Sequence, residues 1–133
     1  MHSFGLSHVA VSVGALTDAL RADLLSFYGQ HFGWSEIESL RRDDRLTLDI
    51  GGGDYVNVRQ RPDPMRTSGY EHLGLRLASA AAVEQSWEAL AADPRAVDLE
   101  PLNGGAGSNG YRAFRFRYLL PLAIEVQHLP NSG

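Results

Sequence analysis

A chain of 133 residues, 44% of them hydrophobic, has the length of one compact domain and enough apolar side chain to bury about two-thirds of its unfolded surface, which excludes a multidomain machine. Twelve Lys plus Arg against sixteen Asp plus Glu leave a formal charge of −4, so a phosphate backbone meets no broad basic surface and nucleic acid is not an expected partner. The absence of cysteine removes disulfides, thiolate metal sites and thiol nucleophiles together.

Met1-His2-Ser3-Phe4-Gly5 lacks the basic start and apolar run of a secretion signal, and no later stretch approaches membrane-spanning length. A cytoplasmic protein with no membrane partner is the expectation. Leu6 to Val13 alternates, with Val9, Val11 and Val13 on one face and His8, Ala10 and Ser12 on the other, and predicts a half-buried strand. Leu16, Leu20, Leu24, Phe27 and His31 then recur at helical spacing, with Gly33 placed to end the helix. Strands follow over Trp34–Leu40, Arg45–Ile50 and Tyr55–Gln60, the last two separated by Gly51-Gly52-Gly53. Pro62, Pro64 and Gly69 make 61–69 a connector, since proline breaks ladders and helices alike.

Beyond it the order repeats. Tyr70 to Leu77 predicts a strand, Ser79 caps a helix striped by Val83, Trp87 and Leu90, and strands follow at Val97–Glu100, Tyr111–Tyr118 and Leu122–His128. The chain is therefore read as α+β: a single domain of two βαβββ modules, 1–60 and 70–133. Trp34 and Trp87 are expected in the core.

Superposing the repeats puts His8 over His72, each with a tiny residue two places on, Ala10 or Gly74, which opens the face beside the imidazole. Val56-Asn57-Val58 likewise matches Ile124-Glu125-Val126, so Asn57 and Glu125 are counterparts, and by parity Glu125 points away from the aliphatic packing. A lone histidine is ordinarily a satisfied core residue. Two at one repeat position, with an inward carboxylate on a third strand, favour a metal.

Arg59, Arg115 and Arg117 share the face opposite the aliphatic residues, where an arginine can meet an anionic substrate; Tyr55 and Tyr111 can each supply a phenol. His31 falls on the helix and His128 has the wrong parity for the cavity face. The loop from Asn103 to Gly110 is either a lid, a small-ion loop or simple glycine flexibility, and lacks the strand-loop-helix context of a nucleotide-binding motif.

Leu6-Ser7-His8-Val9-Ala10-Val11, Phe27-Tyr28-Gly29-Gln30-His31-Phe32-Gly33-Trp34, Glu71-His72-Leu73-Gly74-Leu75 and Leu122-Ala123-Ile124-Glu125-Val126, in that order, resemble the vicinal oxygen chelate superfamily. That superfamily contains glyoxalase I, extradiol dioxygenases, fosfomycin-resistance thiol transferases and bleomycin-binding proteins. The resemblance implies two modules curling into an incomplete mixed β-barrel with outer helices. It also implies metal ligands at His8, His72 and Glu125, with Glu125 as the catalytic carboxylate. Two imidazoles and one carboxylate form a facial set that suits Fe(II) and accepts Mn(II), Ni(II) or Zn(II). A small substrate chelating through adjacent oxygens would be activated there.

Asn57 stands where glyoxalase-like sites carry a further ligand or base, and an amide cannot act as a carboxylate base. Tyr118-Leu119-Leu120-Pro121 replaces the usual acidic turn before the last strand. Asn57, Arg59, Arg115 and Tyr55 are the candidate substrate-binding residues. The expected function is a metal-dependent glyoxalase- or dioxygenase-like enzyme, lyase, isomerase or thiol transferase. The alternative is a non-catalytic, antibiotic-type binding protein of the same fold. Family members of this length also imply a homodimer.

Overall fold

The computed structural model describes residues 1–104 and 110–130. The chain divides into two compact units, Met1–Arg66 and Thr67–Gly133, with the division inside the 61–69 connector.

The first unit runs β1 (His8–Val13), α1 (Asp18–Phe32), β2 (Ser35–Glu36), β3 (Arg45–Gly51) and β4 (Asp54–Gln60). Its strands lie in the order β1-β4-β3-β2, β1 parallel to β4 and the other neighbours antiparallel. Thr17 caps α1 by accepting from Leu20 N at 3.1 Å. Gly33 ends the helix in the left-handed region at φ 72°, where a side chain would be strained, and its N–H donates to Gly29 O. Leu24, Phe27 and Tyr28 are fully buried with Leu46, Leu48, Val56 and Val58, and Trp34 stacks on Tyr28 at 4.6 Å. That stripe also carries a charge that the periodicity did not predict. Arg21 is buried, and its guanidinium donates to the carbonyls of Arg42, Asp43 and Arg45, closing the turn before β3.

The second unit repeats the plan with β5 (His72–Arg76), α2 (Ala80–Ala91), β6 (Asn103–Gly104), β7 (Arg112–Phe116) and β8 (Ala123–His128), in the order β5-β8-β7-β6. Ser79 caps α2 through a bond from Ala82 N at 3.0 Å. Val83 and Leu90 pack with Phe114, Phe116, Ile124 and Val126, all essentially inaccessible. Ala10 pairs with Asn57 across β1 and β4, and Gly74 with Glu125 across β5 and β8, so the two sheets place Asn57 and Glu125 equivalently. Both sheets are open, each with two edge strands.

Three local expectations are corrected. The strand expected over Trp34–Leu40 shortens to Ser35–Glu36 and turns into a 3₁₀ segment at Glu38–Leu40, because Leu40 N bonds back to Ile37 O while Arg45 takes up Leu40 O. Val97–Glu100 is no strand: Val97 and Arg117 form an isolated bridge, Asp98 adopts a positive φ of 52° and Pro101 offers no N–H, so the edge strand starts only at Asn103. Trp87 is half-buried rather than core, with its indole N–H donating to Glu100 O at 2.9 Å.

Candidate functional site

His72 opens β5, and Glu125 sits in β8 beside Gly74, where an added Cβ would meet nothing within 4 Å. That open space lets the two side chains meet, His72 Nε2 to Glu125 Oε2 at 2.8 Å, both part-exposed. The other ring nitrogen, Nδ1, lies 2.8 Å from Tyr70 O. A carbonyl only accepts, so Nδ1 faces Tyr70 O as the donor and Nε2 is the ring atom turned to the carboxylate. An imidazole nitrogen beside a carboxylate oxygen makes an ion pair as it stands, and the two are also donor types that a divalent metal would accept, with Tyr70 O orienting the imidazole as ligand-orienting carbonyls do.

His8 opens β1 in the first unit at the equivalent position. Its Nδ1 lies 2.7 Å from Ser7 Oγ, and its ring stacks on Tyr55 at 4.7 Å with the planes 3° apart. Tyr55 thus packs its ring against the histidine. Among the described residues no group of three His, Asp or Glu side chains is gathered as a metal cluster. The second unit brings two of the three expected ligands together, and His8 stands in the first.

Asn57 is held in place by a neighbour not singled out from the sequence. Thr47, fully buried, donates its hydroxyl to Asn57 Oδ1 at 2.7 Å from the paired position on β3. Arg59 Nη2 reaches Asp44 only at 3.9 Å, and its buried Nε has no hydrogen-bond partner among the described residues. Arg115 pairs with Glu125 in register on β7 and β8, but its guanidinium goes to Glu100, Nε to Oε2 at 2.9 Å and Nη2 to Oε1 at 3.2 Å. That hydrogen bonding, then the attraction of the Glu100 charge, holds the Arg115 pKa above its usual range. Its carbon centre also lies 6.0 Å from the Tyr70 ring. Glu100 carried no sequence signal, because only the bridge between 97–100 and 115–117 brings it to Arg115.

Arg117 approaches Asp98 at 3.9 Å, and Tyr111 is half-buried. His31 packs on Phe27 at 4.7 Å, and His128 Nδ1 lies 3.2 Å from Leu77 O, so neither joins the pair. Positions 105–109 of the glycine-rich loop lie outside the described residues.

The two open modules, each a four-stranded mixed sheet with one helix, have the vicinal oxygen chelate fold. No family model matches the sequence and no curated protein matches it, but solved structures do. A mutant of the genomically encoded fosfomycin resistance protein FosX from Listeria monocytogenes, complexed with Mn(II) and 1S,2S-dihydroxypropylphosphonic acid, matches with TM-score 0.70 and 17% identity over 96% of this chain and 93% of that one. FosX from Mesorhizobium loti gives 0.69 and 17% over 98% and 97%. A glyoxalase/bleomycin resistance protein from Albidiferax ferrireducens gives 0.66 and 16% over 94% and 98%. At these identities the likeness is one of fold. No helix among the described residues is long and apolar enough to cross a membrane.

Proposed function

We propose that this chain is a divalent-metal-dependent, glyoxalase- or dioxygenase-like enzyme that acts on a small substrate chelating the cation through adjacent oxygens. The observation that carries the reading is the His72 Nε2 to Glu125 Oε2 contact at 2.8 Å, made while Nδ1 is already committed to Tyr70 O. His8 is the third ligand, from the first module of the same chain or of a second copy in a cytoplasmic homodimer. Glu125 is both ligand and catalytic carboxylate. The donor set suits Fe(II), with Mn(II), Ni(II) and Zn(II) as competitors, and Mn(II) gains support from the Listeria neighbour. When bound, such a cation stabilises negative charge developing on a chelated oxygen.

The chain's own residues shape the rest. Tyr55 steadies the His8 ring by stacking, while Asn57 and Arg59 line the same face of β4 and Arg115 flanks Glu125; these four are assigned to the substrate. One observation favours the competing reading of a non-catalytic binding protein: Asn57 Oδ1 is occupied by Thr47, so no base stands at the fourth-strand position.

Elemental analysis of anaerobically purified, untagged protein against a His72→Ala variant separates the two. Near-stoichiometric metal that disappears in the variant is the expected result. Absence of metal after reconstitution with each candidate cation overturns the enzyme reading.

A further inference from the structure

The connector between the modules has a use that the metal reading does not absorb. Its prolines, Pro62 and Pro64, fix the backbone torsions locally, and it is stitched back onto the end of β1: Arg61 N donates to Val13 O at 2.9 Å and Met65 N to Ser12 Oγ at 2.7 Å. Pro64 in turn lies against Gly14. This segment walls a groove of about 510 Å³, lined by Ala10, Ser12, Arg59, Arg61, Asp63 and Met65, a volume in the range of small-ligand sites.

Three residues of its lining carry donors. Among the described residues the buried Arg59 Nε has no hydrogen-bond partner and the guanidinium meets Asp44 only at 3.9 Å, so this part-exposed side chain keeps hydrogen-bonding capacity for an acceptor from outside the chain. Ser12 Oγ accepts from Met65 N, which leaves its own O–H to donate. Arg61 supplies a second guanidinium. Among the described lining residues two guanidinium groups face one carboxylate, Asp63, while Asp44 stands outside the lining at 3.9 Å from Arg59 Nη2, and Ala10 and Met65 supply the apolar part.

We infer that this groove of the first module binds the oxyanion end of a small organic acid, a carboxylate or a phosphoryl group, with Arg59 Nε, Arg61 and the Ser12 hydroxyl as donors. The inference sharpens the substrate-facing role given to Arg59 above and uses no metal ligand. Ser12 lies four residues from His8 on β1, about 13 Å along the strand. An acid reaching both is therefore elongated, whereas a two- or three-carbon acid fills the groove alone.

The test uses full-length protein in EDTA, titrated with inorganic phosphate, methylphosphonate or propionate, each against potassium chloride at matched ionic strength. The arginine Nε–H resonances are followed by ¹H–¹⁵N correlation spectroscopy. The expected result is a saturable shift of the Arg59 Nε–H signal with at least one oxyanion and none with chloride; which of the three acts distinguishes phosphoryl from carboxylate ligands. Arg59→Lys keeps the charge but removes the Nε–H, and binding followed on the remaining arginine signals weakens about tenfold, the loss of one charge-assisted hydrogen bond. Arg61→Gln, at an exposed position, weakens binding as well, whereas Glu88→Gln, exposed on α2 of the second module, leaves it unchanged.

Shifts reproduced by chloride, or equal affinity in native protein and Arg59→Lys, overturn the inference. Because metal is absent throughout, that failure is distinct from failure of the metal reading. A His72→Ala protein that loses metal yet still binds the oxyanion leaves both standing.

Discussion

The two modules share one topology, yet they differ at the position where each sheet brings its first and last strands together. In the first, Asn57 lies beside Ala10 and opposite Thr47, a neutral amide accepting from a buried hydroxyl. In the second, Glu125 lies beside Gly74 and opposite Arg115, a carboxylate in contact with an imidazole and flanked by a guanidinium that Glu100 holds. The aliphatic faces are nearly interchangeable: Val56 and Val58 answer Ile124 and Val126. The two modules are thus alike on the packing side of the strand, where volume decides stability, and differ on the open side, which holds a closed polar pair in one and an open ionic one in the other.

The largest expected effect lies on the packing side. Phe116 is fully buried in β7, and Phe116→Ala should cost about 3–5 kcal/mol; Leu48→Ala in β3 should cost about 2–5 kcal/mol. Urea denaturation of single-tryptophan variants reads each module with its own probe, Trp34 in the first and Trp87 in the second. A cost below about 1 kcal/mol for Phe116→Ala would mean that the second core closes over the gap, and the parity of the two cores would fail.

The next effect tests the polar side. Glu125→Gln should lower Mn(II) affinity by more than about a hundredfold, since even groups one step removed from a metal ligand are worth about 10–100-fold. Asn57→Asp, added to that variant, should not restore it, because the new carboxylate inherits the Thr47 hydroxyl and lies beside Ala10. Titration of the three proteins with Mn(II), read by electron paramagnetic resonance, decides it. Recovery of affinity in the double variant would make the modules chemically interchangeable and remove the asymmetry drawn above.

How much of this was legible in the sequence follows from range. Period-2 alternation and the paired His-x-Ala and His-x-Gly motifs gave the strands, the repeat and the Asn57–Glu125 equivalence, because strand parity is a local property. Thr17, Gly33 and Ser79 act by local cap chemistry, and the Gly33 and Ser79 roles were readable before any fold was known. What the sequence hid depends on backbone returning from elsewhere. Arg21 is buried only because three turn carbonyls 21 to 24 residues away point at it. Glu100 meets Arg115 only through a bridge that Asp98 permits by leaving the ordinary backbone region. The Arg59 groove exists only because a proline connector folds back on β1.

The smallest effect concerns a contact of the first module, the Glu36–Arg41 ion pair spanning the turn after β2. The hydrogen bond from Arg41 holds the Glu36 carboxyl below the ordinary glutamate range, helped by the charges of Arg41 and Arg21 and opposed by burial. A carboxylate depressed in the folded state contributes stability that is present above its unfolded pKa and is lost as pH falls through the folded one. Native protein should therefore exceed Glu36→Gln in urea midpoint at neutral pH, and the gap should close as acid carries the solution below the ordinary glutamate range. Salt should narrow the neutral gap too, since Arg41 is solvent-exposed. A gap that persists unchanged into acid would assign the loss in Glu36→Gln to packing at the turn rather than to its charge.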